Sequence, residues 1–187
     1  MDPVDFFGLR MQQSMLGMAT LAELLNEEKP ARVIELGTGA GGLSLLLESW
    51  CLRHGADFAT FDRVEPDRHV RLEPVDEKTP SHEWHLGSYW NLDPSVFDVE
   101  GCTLLLCDGG DKPGEVRQYA PMLQTGDIIG AHDYCVSLEV FRDIRWKGGW
   151  RSCEVTWADI EDAIAPAFEA VDGIDPKCGW GFWRKVR

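Results

Sequence analysis

Val33-Ile34-Glu35-Leu36-Gly37-Thr38-Gly39-Ala40-Gly41-Gly42 is the stretch on which the reading of this chain turns. Its first half is a short apolar run following Pro30, the mark of a buried strand. Its second half is a glycine-rich turn. Leu43, Leu46, Leu47, Trp50 and Cys51 then recur at helical spacing as far as Gly55, which stands where a helix C-cap glycine belongs. A strand–turn–helix unit of this kind lets a ligand approach the backbone and leaves the first N–H groups of the helix unspent. Gly37, Gly39 and Gly42 satisfy G-x-G-x-x-G, while Gly37, Gly39 and Gly41 satisfy the looser G-x-G-x-G. The glycines alone therefore do not choose the ligand.

Two carboxylates narrow the choice. Asp62 closes a second strand, Asp57-Phe-Ala-Thr-Phe-Asp62, 20 residues after Gly42, where an acid accepts hydrogen bonds from ribose hydroxyls. Glu35 lies two residues before Gly37. A carboxylate there repels a pyrophosphate and attracts a cation, such as a sulfonium amino acid. The spacing fits nicotinamide and adenosyl cofactors alike, and the charge favours S-adenosylmethionine. An NAD(P)-dependent oxidoreductase using the same glycines stays as an alternative.

Working outward, short apolar runs alternate with amphipathic segments, the pattern of an α/β domain. The residues from Asp5 to Glu28 read as one N-terminal helix, with Met11, Met15, Met18, Leu21, Leu24 and Leu25 apolar and Gly17 loosening it. Further strands are expected near Glu83–Leu86, at Thr103–Asp108, Asp127–His132, Arg151–Trp157 and Gly179–Val186. Helices are expected at Glu115–Leu123 and 158–170, the latter interrupted by Pro166. The segment 63–80, polar and proline-containing, reads as loop. One domain over residues 1–187 accounts for the pattern, with ligands at the carboxyl ends of the strands.

A second constellation falls at those ends. Asp108-Gly-Gly-Asp111-Lys112 follows one strand and His132-Asp133-Tyr134 ends the next. Asp108, Lys112, His132 and Asp133 offer a base, a hard-cation site and an electrophilic lysine. Three roles are open to His132: general base, metal ligand, or a structural histidine bonded to Asp108. Asp133 reads as an active-site acid or a helix cap. Lys112 orients substrate, pairs with Asp108, or is a solvated loop residue. The H-x-x-H of His82 and His85 would place the two rings on opposite faces of a strand, which argues against a metal pair. The tryptophans line a pocket or, more simply, pack the core and subunit contacts. Gln12 and Gln13 are pocket candidates if the N-terminal helix covers the cofactor.

Composition bounds the partners. The 187 residues hold 18 Lys plus Arg against 32 Asp plus Glu, a net charge of −14 that disfavours polyphosphate partners and membrane surfaces. Seven of the acids lie between Arg151 and Lys177 with no Lys or Arg among them, and read as a solvated face away from the cofactor motifs. Six cysteines form no C-x-x-C pair, so they read as reduced thiols, several of them buried. Met1-Asp2-Pro3-Val4-Asp5 lacks the basic region and apolar core of a signal peptide, and no apolar run is long enough to span a bilayer. The expectation is a cytoplasmic protein acting on a small molecule, with homo-oligomerisation open.

The residues from Val33 to Gly42 resemble motif I of class I S-adenosylmethionine-dependent methyltransferases. Asp62 matches the ribose-binding acid of that family. His85-Leu86-Gly87-Ser88 is similar to the segment bordering its adenine. The Tyr119-Ala-Pro-Met-Leu to Gly126-Asp127 stretch and the acidic strand end resemble the small-molecule O-methyltransferases, including the family named for cephalosporin hydroxylase. The resemblance implies a Rossmann-like, seven-stranded, mostly parallel sheet with helices on both faces. It also implies that the last strand is antiparallel and inserted between the fifth and sixth. It implies cofactor contacts from Glu35, Gly37, Thr38, Gly39, Gly41, Asp62, Gly87, Ser88 and Asp108, and catalysis by His132, Asp133 and Lys112. Catechol- and caffeoyl-type members bind a divalent metal. Carried over, its ligands are Asp108, His132 and Asp133, for Mg²⁺ or another divalent cation, although His-Asp replaces the usual Asp-Asn or Glu-Asp pair. The implied activity is methyl transfer to a hydroxyl oxygen of a small molecule or sugar. A non-catalytic adenosyl-ligand binder with the same fold is the alternative.

Overall fold

A computed structural model describes residues 4–6, 9–63, 81–146 and 152–187, with side chains described over 11–63, 81–145 and 152–187. In chain order the strands are β1 (Val4–Phe6), β2 (Leu9–Met11), β3 (Arg32–Leu36), β4 (Asp57–Asp62), β5 (His82–Leu86), β6 (Thr103–Cys107), β7 (Ile128–His132), β8 (Tyr134–Cys135), β9 (Val155–Thr156), β10 (Phe168–Ala170) and β11 (Trp180–Lys185). The α-helices are α1 (Met15–Glu28), α2 (Gly42–His54), α3 (Lys112–Tyr119), α4 (Leu138–Trp146) and α5 (Trp157–Ile164). Seven strands form the central sheet in the order β10-β11-β7-β6-β3-β4-β5. The neighbours from β5 through β7 pair in parallel, whereas β11 runs antiparallel to both β7 and β10. This is the expected Rossmann-like order, with the last strand inserted beside the fifth.

The sheet is covered on both faces because alternate residues of its strands point to opposite sides. Ile34, Leu36, Leu105, Cys107 and Ile129 pack with Val116 and Tyr119 of α3 and with Ile160 and Ile164 of α5. Val33, Leu104, Leu106 and Ile128 pack on the other side with Leu21, Leu24 and Leu25 of α1 and with Leu43, Leu47 and Cys51 of α2. Burial on both faces explains why β6 and β7 read as continuous apolar runs.

Five expectations are corrected. The N-terminal helix does not span 5–28. Ser14 caps it, its Oγ accepting from Gly17 N at 2.9 Å, so the helix starts at Met15 and β1 and β2 form a hairpin before it. Gly17 does not loosen this helix but lets it dock, since a Cβ there would stand 2.7 Å from the Cys178 carbonyl oxygen. The expected strand 151–157 shrinks to β9, which pairs with β8 outside the central sheet, and the sixth strand is β10. The helix 158–170 stops at Ile164, just before Pro166, and the chain turns back as β10. The helix expected at 115–123 begins earlier, at Lys112, with Pro113 in its first turn and Asp111 capping it. Most of the 63–80 loop reading, and the segment 147–151, lie outside the described residues. No helix among the described residues is long and apolar enough to cross a membrane.

Candidate active site

The glycine turn leaves β3 and opens α2, with Gly41 as N-cap. Gly37 is required twice over. Its φ is +97°, and a Cβ would lie 2.3 Å from the carbonyl oxygen of Asp108. The turn thus rests directly on the end of β6. Gly39 N donates to Asp62 Oδ2 at 2.8 Å, so the proposed ribose acid stands over the turn. Gly87 N donates to the Asp62 carbonyl at 2.8 Å, which brings the exposed Gly87-Ser88 pair to the same rim. Thr38 is buried and shares a 2.7 Å hydroxyl contact with Thr60.

Glu35 is fully buried at the base of the turn. Its Oε2 accepts from Thr60 Oγ1 at 2.6 Å and from Ser44 Oγ in a shorter contact. Burial pushes its carboxyl up to about 8 against the lowering effect of those hydroxyls. The ligand-free chain therefore holds Glu35 largely protonated at neutral pH, which amends the view of a standing negative charge. Its Oε1 is buried without a hydrogen-bond partner among the described residues.

The second constellation converges as expected. His132 Nδ1 and Asp108 Oδ1 are 2.8 Å apart, and Asp133 Oδ2 lies 3.7 Å from the same nitrogen. The ring of Trp180 backs the imidazole at 4.6 Å between centroids. Asp133 follows β7 with φ +57°, an uncommon backbone for a residue other than glycine. Lys112, the first residue of α3, is buried, so the solvated-loop reading falls. Its Nζ donates to Asp133 Oδ2 at 3.0 Å and to Glu154 Oε2 at 2.6 Å, and stands 3.7 Å from Asp108 Oδ1. Burial alone would lower the ammonium's pKa, but these acceptors outweigh it and raise it, so Lys112 is a cation.

Two residues join the site that local spacing did not reveal as partners. Gln13 Nε2 donates to Asp108 Oδ2 at 2.7 Å, from the segment before α1 rather than from a helix. In sequence Glu154 belongs to the run of acids remote from the cofactor motifs. It is instead the shortest contact of Lys112, and its backbone N donates to the Asp133 carbonyl at 2.9 Å. No local motif marks it, because the contact with Lys112 spans 42 positions. Among the other acids of that run, Asp159 completes the capping box of α5 with Thr156, and Asp162 pairs with Arg117. His82 and His85 point apart as expected, with side chains 1% and 42% exposed. Trp180 and Trp183 are core residues.

Ligand atoms of Asp108, His132 and Asp133 all lie within 4.8 Å of one another, near enough to meet at one cation. The chemistry matches Mg²⁺ poorly. One of the donors is an imidazole, where Mg²⁺ takes oxygens, and the Lys112 ammonium already sits among the carboxylates.

This sheet order and its glycine turn define the fold of the class I S-adenosylmethionine-dependent methyltransferases. The particular structures it resembles include CmcI with SAH (TM-score 0.69, 15% identity, 98% of this chain and 83% of that one) and CmcI with Mg and SAM (TM-score 0.67, 15% identity, 98% and 77%). A Staphylococcus aureus protein assigned as a caffeoyl-CoA O-methyltransferase is also similar (TM-score 0.56, 14% identity, 95% and 86%). Identities this low define fold. No protein-family model matches the sequence, and no curated relative matches it.

Proposed function

We propose that this chain transfers the methyl group of S-adenosylmethionine to a hydroxyl oxygen of a small molecule. The observation that carries the reading is the seating of Gly37 against Asp108. The glycine turn and a His–Asp–Lys cluster thus lie wall to wall, which supports reading the turn as the cofactor side of the site. Solved structures of similar fold carry SAM or SAH, which supports the same cofactor here.

Glu35, Gly37, Thr38, Gly39, Gly41, Asp62, Gly87, Ser88 and Asp108 form the cofactor side. The buried, unpartnered Oε1 of Glu35 beside the turn fits a cationic amino-acid moiety. Asp62 takes the ribose hydroxyls. Bound there, S-adenosylmethionine supplies an electrophilic methyl group, whose bond to sulfur breaks as the bond to the acceptor oxygen forms. On the acceptor side, Asp108 fixes the imidazole of His132 through Nδ1, leaving the lone pair on Nε2 to take the hydroxyl proton. Lys112 stabilises the developing oxyanion. Asp133 holds Lys112 in place. Much of the rate comes from alignment of the two reactants. A divalent cation would be held by Asp108, His132 and Asp133 and would polarise the acceptor oxygen. Because the donor set matches Mg²⁺ poorly, no step here runs through it.

The net charge of −14 supports a small-molecule acceptor over a nucleic acid, and six free thiols support a reducing, cytoplasmic setting. Calorimetry with S-adenosylmethionine and S-adenosylhomocysteine tests the cofactor, and turnover on a panel of hydroxylated small molecules tests the reaction. Binding of both, with turnover lost in His132→Ala and Asp133→Ala, is expected. Binding of NADH in place of either adenosyl ligand defeats the proposal.

A further inference from the structure

We infer that the Lys112 ammonium stands in for a divalent cation in this cluster, so that the chain works with a built-in cation and binds free divalent ions weakly. The inference deepens the methyl-transfer reading of the same site and rests on it for its consequence for the acceptor.

Four of the candidate ligand atoms are already committed. Asp108 Oδ1 is paired with His132 Nδ1 at 2.8 Å, and Asp108 Oδ2 accepts from Gln13 at 2.7 Å. Asp133 Oδ2 accepts from Lys112 at 3.0 Å. Nδ1, in donating to Asp108, offers no lone pair to a metal set between these carboxylates. A metal ion would have to break these contacts. It would also have to lie beside a buried ammonium, where poor screening makes the repulsion severe. The lysine does not enter by chance. It is the first residue of α3, set by Pro113 behind it and by the Asp111 cap, and its side chain is only 6% exposed.

The substitution has a chemical consequence. A divalent ion chelates two neighbouring oxygens, as in a vicinal diol. An ammonium has three N–H donors; here two are taken by Asp133 and Glu154, and Asp108 at 3.7 Å is beyond hydrogen-bond reach. One donor is left for one oxygen. The site is built for an acceptor presenting a single hydroxyl, and it has no need of a second oxygen beside it.

The test is a Mn²⁺ titration of the chelator-treated full chain, followed by electron paramagnetic resonance, with calorimetry of S-adenosylhomocysteine alongside. The wild-type chain is expected to show no saturable Mn²⁺ binding below about 1 mM, while Lys112→Met, freed of the competing charge, binds at least about tenfold more tightly. Asp133→Asn in the Lys112→Met background should remove the gain. Micromolar Mn²⁺ binding by the wild type that is lost in Asp133→Asn overturns the inference, whether or not Lys112→Met folds. So does a folded Lys112→Met chain, verified by its thermal melt, that binds Mn²⁺ no better. Failure to bind S-adenosylhomocysteine would instead count against the methyl-transfer reading and leave the Mn²⁺ result readable.

Discussion

The side-chain amide of Gln13 donates to Asp108 Oδ2 at 2.7 Å, joining the N-terminal segment to the end of β6 across 95 positions of sequence. Asp108 is thereby held from two sides, by Gln13 through one oxygen and by His132 through the other. Gln13→Ala should cost about 1–3 kcal/mol of stability, the usual result of stripping a buried group of its donor. It should lower kcat, because Asp108 no longer holds the imidazole in one orientation. Gln13→Glu should be worse, placing one carboxylate against another. A thermal melt and a turnover assay read both effects; a Gln13→Ala chain equal to the wild type in each would show that the bond is idle.

Gly37 gives the sharpest steric prediction. A methyl group at this position meets the Asp108 carbonyl at 2.3 Å and Gly109 Cα at 2.8 Å, with φ at +97°. No flexible side chain is present to yield, so either the turn or the end of β6 must shift. Gly37→Ala should lose S-adenosylhomocysteine binding by calorimetry and destabilise the chain by roughly 2–4 kcal/mol. Gly126→Ala, also at positive φ but with open space around it, serves as the control that bears backbone strain without the collision.

What the sequence made legible follows from the range of the forces involved. The glycine turn, the buried strands and the C-cap at Gly55 are written in adjacent residues, because they answer to local backbone geometry and to burial on both faces of one strand. Asp108, His132 and Asp133 were found because strand ends in this topology converge. Glu154 was not, since its role exists only once β8 and β9 pair and bring position 154 against Lys112. The hairpin before α1 is hidden in the sequence for a related reason. Met11 and Met15 keep a helical spacing, but the Ser14 cap fixes where the helix begins.

Glu35 links the cofactor site to pH. Its carboxyl is raised from 4.5 to about 8, first by burial. A raised carboxyl binds its proton more tightly when folded, so its contribution to stability is complete below pH 4.5 and is lost as pH climbs toward 8. The ligand-free chain should therefore melt progressively lower between pH 5 and 8, by up to ~5 kcal/mol of stability. Glu35→Gln should flatten that slope. A cationic ligand reverses the preference by favouring the ionised carboxyl. Binding of S-adenosylmethionine near pH 7 should release a proton, seen as a calorimetric heat that varies with the buffer's ionisation enthalpy and disappears in Glu35→Gln. A buffer-independent heat in the wild type would show that Glu35 stays protonated under the ligand.

Tyr89 and Glu115 shape the loop that carries both Asp108 and Lys112. Tyr89 Oη donates to Glu115 Oε1 at 3.0 Å and accepts from Gly110 N at 3.2 Å. Glu115, fully buried, also accepts from Gly109 N at 3.1 Å and from Asp111 N at 3.3 Å. The pair thus takes three consecutive backbone N–H groups that would otherwise be stranded between β6 and α3. Tyr89→Phe keeps the ring but strands Gly110 N and removes one donor from Glu115, at a cost of about 1–3 kcal/mol. The loop should then hold Lys112 less well against Asp133. The expected signature is a fall in kcat larger than any loss of S-adenosylhomocysteine affinity, because Gly37, Gly39 and Asp62 keep their own contacts. A lowered melting temperature with kcat unchanged would limit Tyr89 to a purely structural part.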